Sequence, residues 1–108
     1  IGIGYWDGAV CDATPSGVAR SIAYAVQLVG QDHVALGSDY DGATSVFFDT
    51  SELSALTQAL LDEGLNEEEI RAVMGGNQIH FLKKHFSSKG ICVTKWSFIT
   101  ASAAATSD

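Results

Sequence analysis

The stretch that most constrains this chain is His33 to Gly42, HVALGSDYDG. Its first half, His33 to Gly37, tolerates burial and holds no turn residue until its end, so it reads as a short strand covered on both faces. Its second half puts two carboxylates, Asp39 and Asp41, two positions apart where an extended backbone runs into a turn. Side chains at i and i+2 of a strand share a face. With Asp39 on the last pleat, its carboxylate faces a cleft, and Asp41 either joins it or caps the turn. Acids at the carboxyl end of a buried parallel strand match the layout of α/β ligand sites. Asp-x-Asp-Gly is equally ordinary turn chemistry, with Asp satisfying backbone donors and Gly supplying the tight bend. Both readings stay open on these residues. A calcium loop is excluded, because one drawn around these acids would begin at Gly37 and close at Phe48, where it needs carboxylates.

The flanking sequence places this stretch in an alternating pattern. Ile1 to Trp6 interleaves glycine with bulky residues, as a strand with a close backbone neighbour does, and Asp7-Gly8 ends it. Thr14-Pro15 then offers an N-cap and a first-turn proline. Val18, Ile22, Ala25, Val26 and Val29 follow as one helical stripe that Gly30 stops. Strand, helix and strand in this order predict a βαβ unit with a right-handed crossover. Beyond the acidic turn, Phe47-Phe48 needs cover. Asp49 and Glu52 form a capping box for a helix that buries Leu53, Leu56, Leu60 and Leu61 and ends at Gly64. Asn66 and Glu69 repeat the device, with Leu65 and Ile70 as a hydrophobic staple, and Gly75-Gly76 breaks that element. Asn77 opens a last helix with Lys83, Lys84 and His85 near its C-terminus. From Ser87 the pattern changes: Gly90 to Thr100 is β-prone, and the end is small and polar.

Other chemistries find little footing. With 108 residues the chain is one domain at most, and no apolar run reaches the roughly 18 residues of a membrane span. A net charge of -7 argues against nucleic acid or an anionic membrane as partner. No signal-peptide pattern opens the chain, so a cytoplasmic location is expected, with Ile1 pointing to upstream sequence that is missing. Cys11 and Cys92 match no metal or redox spacing and are expected as separate reduced thiols. His33 sits at the strand's entry. His80 and His85 lie five apart, not at the i, i+4 spacing of a zincin helix, and read as solvated. Ser38 lacks a G-x-S-x-G elbow, and Asp7 stands where a dinucleotide fingerprint needs its third glycine.

HVALGSDYDG, followed by FDTSELSALTQALLDEGLNEEEIRAVMGGN, resembles the C-terminal part of the membrane dipeptidase family, the renal dipeptidase-like metallopeptidases. The resemblance covers Ile1 to about Phe86. It implies a (β/α)8 TIM-type barrel with a binuclear zinc centre that hydrolyses the peptide bond of dipeptides. On that basis residues 1–86 are expected to be the last two β/α units of the barrel, incomplete, and residues 87–108 an unrelated tail that could form a β-strand. Ile1 to Trp6 becomes the penultimate strand and the helix from Thr14 to Gly30 its crossover. Asp39 matches the family's aspartate at the end of the last strand, implied to take a proton from the attacking hydroxide and help protonate the leaving amine. Asp41 and Gly42 match the turn beyond it, and Tyr40, Asp41 and Gly42 are expected as substrate-binding or turn residues. The ligands that the resemblance implies, a His-x-Asp pair, a bridging Glu and two later histidines, have no counterpart here, nor has the substrate-binding Arg. Residue 80 is His where many members have Arg.

The expected function is therefore that of a fragment of a zinc-dependent dipeptidase, inactive alone, with Asp39 as its catalytic residue and no metal held within the chain. Its expected partners are a dipeptide substrate in a complete enzyme, and either the missing remainder of the barrel or further copies of itself. The rival is a non-catalytic, self-associating structural or interaction module, because two strands leave sheet edges that demand pairing.

Overall fold

In the computed structural model, which describes residues 1–42 and 44–86, Thr14 and Pro15 start a helix where the sequence places it. The Thr14 hydroxyl accepts the Gly17 N–H at 3.2 Å, and α1 runs Pro15–Val29. Val18, Ile22 and Val26 are buried along its inner stripe, while Val29 at the end of that stripe is exposed. On either side lie β1 (Gly2–Ile3) and β2 (Ala35–Leu36), paired in parallel with Gly2 opposite Ala35 and Ile3 opposite Leu36. The predicted order of strand, helix and parallel strand is present.

The helices that follow obey their caps. The Asp49 carboxylate accepts from Ser51 and Glu52 reaches back to the Asp49 N–H, starting a single tight turn that leads into α2 (Leu53–Asp62). Gly64, at φ 90°, ends it, with the Leu65 N–H donating to Leu60 at 3.1 Å. At α3 (Glu67–Arg71) the reciprocal bonds of Asn66 and Glu69 are 3.0 and 2.8 Å. Leu65 and Ile70 are both buried, as a staple requires. Residues 72–76 form a wider turn in which Gly75 leaves helical geometry, and α4 (Asn77–Phe86) begins after it.

The core is made where α1 packs on α2. Val18, Ile22, Leu56 and Leu60 are fully buried there, each contributing about 1.5–3 kcal/mol. Val34 and Val73 are buried too, and Leu61, expected inside, is exposed. Asn77 ties the end of this unit to the approach of β2: its Nδ2 donates to the Gln31 carbonyl at 2.6 Å and the Val34 carbonyl at 2.8 Å. The chain divides into two compact units, Ile1–Asn77 and a second from Gln78. In the second, the described part is helical, with the Phe81 and His85 rings 4.4 Å apart. No helix among the described residues is long and apolar enough to cross a membrane.

The expected architecture, the last two units of a (β/α)8 TIM-type barrel, is corrected by this structure. The described residues form a small, mostly helical unit with one open sheet of two strands. The strand expected over His33–Gly37 shrinks to Ala35–Leu36, because Gln31–His33 make a helical turn first. The strand expected over Ile1–Trp6 shrinks to Gly2–Ile3. Strands of two residues are far shorter than the usual five or six, so they set no barrel curvature, and helix-on-helix packing supplies the core. The tail, 87–108, with its expected strand and with Cys92, lies outside the described residues.

Candidate functional site

Parallel strands deliver their carboxyl ends to the same side, and the acidic stretch leaves β2 at that end. The Gly37 N–H donates to the Ile3 carbonyl at 2.9 Å, which carries the ladder one residue past β2. Gly37 suits this close approach, since a Cβ there would lie 3.1 Å from the Gly2 carbonyl carbon and the strand would have to give by a few tenths of an ångström. Two residues later Asp39 turns the chain with φ 53°, a left-handed conformation that Asp tolerates better than most non-glycine residues.

Asp39 to Gly42 is then a tight turn. The Gly42 N–H donates to the Asp39 carbonyl at 2.9 Å, and the Thr44 hydroxyl donates to the same oxygen at 3.4 Å. The Asp39 carboxylate lies back over Gly42, so that a Cβ on Gly42 would meet Oδ2 at 2.5 Å and Oδ1 at 2.7 Å. Beneath the turn the Tyr40 ring stands edge-on to Tyr5, centroids 5.8 Å apart, and Tyr5 stacks on Phe48 at 5.0 Å. Tyr5 and Phe48 are buried, and Tyr40 is partly exposed. One aromatic group thus joins the residue after β1, the acidic turn and the segment before α2.

Burial pushes the Tyr5 hydroxyl well above its ordinary pKa, with Tyr40 adding to the effect. Tyr40 is raised by burial and then by the Asp49 and Glu52 carboxylates. Asp49 is held below the usual carboxylate value by hydrogen bonds from the Ser51 hydroxyl and N–H. Both phenols therefore stay neutral at physiological pH, while Asp39 and Asp41 stand exposed on the turn.

Asp39, Tyr40, Asp41 and Gly42 are brought together, but not by one strand face. Asp39 has left the pleat, so the turn geometry, rather than i, i+2 alternation, aims its carboxylate. Of Phe47-Phe48, which needed cover, Phe48 is the covered one, while Tyr5 was not singled out by the sequence. The available signal was positional, since Tyr5 follows β1 much as Tyr40 follows β2. Among the described residues no group of three or more His, Cys, Asp or Glu side chains could hold a metal ion. The described residues do not fit a zinc centre, and the zinc attribute is corrected together with the TIM barrel.

The chain matches the family model for membrane dipeptidase (peptidase family M19) over residues 9–90. It is 38% identical over 73 residues to the dipeptidase aclJ of Aspergillus oryzae, which covers 65% of this chain and 17% of that protein. To the dipeptidase ataJ of Aspergillus terreus it is 33% identical over 76 residues, 68% of this chain and 18% of the relative. An uncharacterized protein in the pqqA 5' region of Klebsiella pneumoniae is 34% identical over 68 residues, 61% of this chain and 25% of its own length. The chain thus spans a quarter or less of the length of these curated relatives. No solved structure matches it.

Proposed function

Because the chain belongs to the membrane dipeptidase family, we propose that it serves hydrolysis of the peptide bond of dipeptides by contributing the Asp39 turn, and that by itself it is inert. The observation that carries this reading is the position of Asp39: an exposed carboxylate in a left-handed turn at the carboxyl end of two parallel strands. A carboxylate so placed can accept a proton from the water that attacks the peptide carbonyl and return it to the leaving amine nitrogen. General acid–base transfer of this kind contributes about 10²–10⁴-fold. Tyr40 and Asp41 border the place where a small substrate would meet that carboxylate. Any metal that the family implies would be held by side chains outside the described residues, and no proton step here is drawn through one.

The test is a pair of assays. The chain alone, with and without added zinc, is expected to leave a panel of L,L and L,D dipeptides intact. A chimera of the Aspergillus oryzae relative, in which residues 9–86 replace the matching segment, is expected to hydrolyse them. Turnover by the isolated chain, or an inert but folded chimera, would count against the proposal.

Self-association is a second reading with one observation in its favour. Tyr24 and Leu28, one helical turn apart on α1, are 66% and 59% exposed. A concentration-independent monomer in light scattering would dismiss it.

A further inference from the structure

Among glycines at bends, Gly42 stands apart. Gly8, Gly30 and Gly64 have positive φ, a conformation that excuses a glycine whatever surrounds it. Gly42 does not, and its backbone dihedral would admit an L side chain. What a Cβ there would meet first is one group. Oδ2, Cγ and Oδ1 of Asp39 lie 2.5, 2.6 and 2.7 Å from the place that Cβ would take, and these are the nearest atoms to it. Heavy atoms do not approach so closely, so either the Cβ is absent or the carboxylate is elsewhere.

We propose that Gly42 is the positioning residue for the Asp39 carboxylate: its missing side chain is the seat in which that carboxylate rests. The two residues are linked twice. The Gly42 N–H bond to the Asp39 carbonyl closes the turn, and the bare α-carbon leaves room for the carboxylate to fold back over it. The Thr44 hydroxyl on the same carbonyl and the packing of Tyr40 on Tyr5 hold the turn from either side. The carboxylate of a short side chain with only two torsions is thereby given room to lie over the turn before any substrate arrives, a placement that acid–base chemistry rewards. The catalytic meaning of this seat rests on the proposed role of Asp39, while the seat itself is a property of this chain.

Gly42→Ala should displace the carboxylate rather than unfold the protein, because the blocking atoms are the end of an exposed side chain and not backbone. The test is nuclear magnetic resonance on the full chain. In the parent, through-space cross-peaks are expected between the Asp39 β-protons and the Gly42 α-protons. In Gly42→Ala those contacts to residue 42 should be lost and the Asp39 carboxyl carbon should shift. The Tyr5 and Phe48 ring signals should stay in place, and the melting temperature should move by less than about 4 °C. An Asp39 carboxyl signal and β-proton contacts unchanged by the added methyl would overturn the proposal. Should Gly42→Ala fail to fold, the pair Asp39→Gly/Gly42→Ala decides. Recovery of the parent's stability supports a clash with the carboxylate, and continued unfolding overturns it. No substrate enters these measurements, so they stand or fall separately from the chimera's turnover.

Discussion

The helix starts at Asp49 and Asn66 and the turn at Asp39 are all built around an acidic or amide side chain, yet they differ in what else they depend on. Each helix start is complete within four residues: the cap accepts from the backbone ahead of it, and a glutamate three positions on returns the bond. The Asp39 turn also closes locally, through the Gly42 N–H and the Thr44 hydroxyl, but it is tied from a distance as well, by Tyr5, stacked on Phe48, against Tyr40 and by the backbone of Gly2 against Gly37. Local closure makes an element legible and robust. Distant closure makes a site that depends on the whole unit being folded, which suits a group required to sit in one place.

That contrast can be broken first at the aromatic anchor. Tyr5→Ala should cost about 3–5 kcal/mol in urea denaturation, because the buried ring is the floor on which Tyr40 and Phe48 rest. The same variant should also disturb the Asp39 turn, seen in its amide shifts, and leave the Asn66 cap unaffected. Asn77→Ala comes next, at about 1–3 kcal/mol, since it strips the Gln31 and Val34 carbonyls of a shared donor beside β2. Asn66→Ala should cost only about 1 kcal/mol, with faster amide exchange confined to the first turn of α3. Equal exchange effects at both places would erase the distinction between local and distant closure.

The smallest effect is a pH dependence. Ser51 holds the Asp49 carboxyl below its ordinary pKa of 3.8, so the folded chain releases that proton more readily than the unfolded one. The resulting stabilisation is present above the ordinary value and fades as pH falls through the lower, folded one. Ser51→Ala should therefore melt at a lower temperature than the parent near neutrality, and the gap should narrow as pH falls past the ordinary carboxylate value. A gap that widened in acid would mean that Ser51 supports α2 by some other route.

The same contrast explains what could be read from the sequence. Thr14-Pro15, Asp49 with Glu52, Asn66 with Glu69, Gly64 and Gly75-Gly76 each announce an element edge through chemistry confined to a few neighbours, and the structure keeps each one. The pairing of β1 with β2 was legible too, because βαβ order demands a parallel partner. Strand length was not. His33 was read as part of the strand, but the turn at Gln31–His33 takes it first, and no residue-level preference records that competition. The barrel followed from resemblance rather than from periodicity, and the described residues satisfy their apolar faces helix against helix instead. At the acidic turn, a carboxylate just beyond the end of β2 was legible and its backbone conformation was not. Alternation would have kept it on a strand face, whereas φ 53° and the bare α-carbon of Gly42 aim it from a turn. Leu61 and Val29, read as inward, are exposed because the apolar stripes of α2 and α1 are wider than the surfaces they cover.

The proposed proton transfer by the Asp39 carboxylate in dipeptide hydrolysis is put at risk by comparing the kcat of the chimera with and without Asp39→Asn. The amide keeps the shape and hydrogen-bonding reach of the side chain and removes its basicity. The prediction is a fall in kcat of about 10²–10⁴-fold with KM little changed and the fold intact by circular dichroism. A folded Asp39→Asn chimera turning over dipeptides at the parent's rate would contradict it.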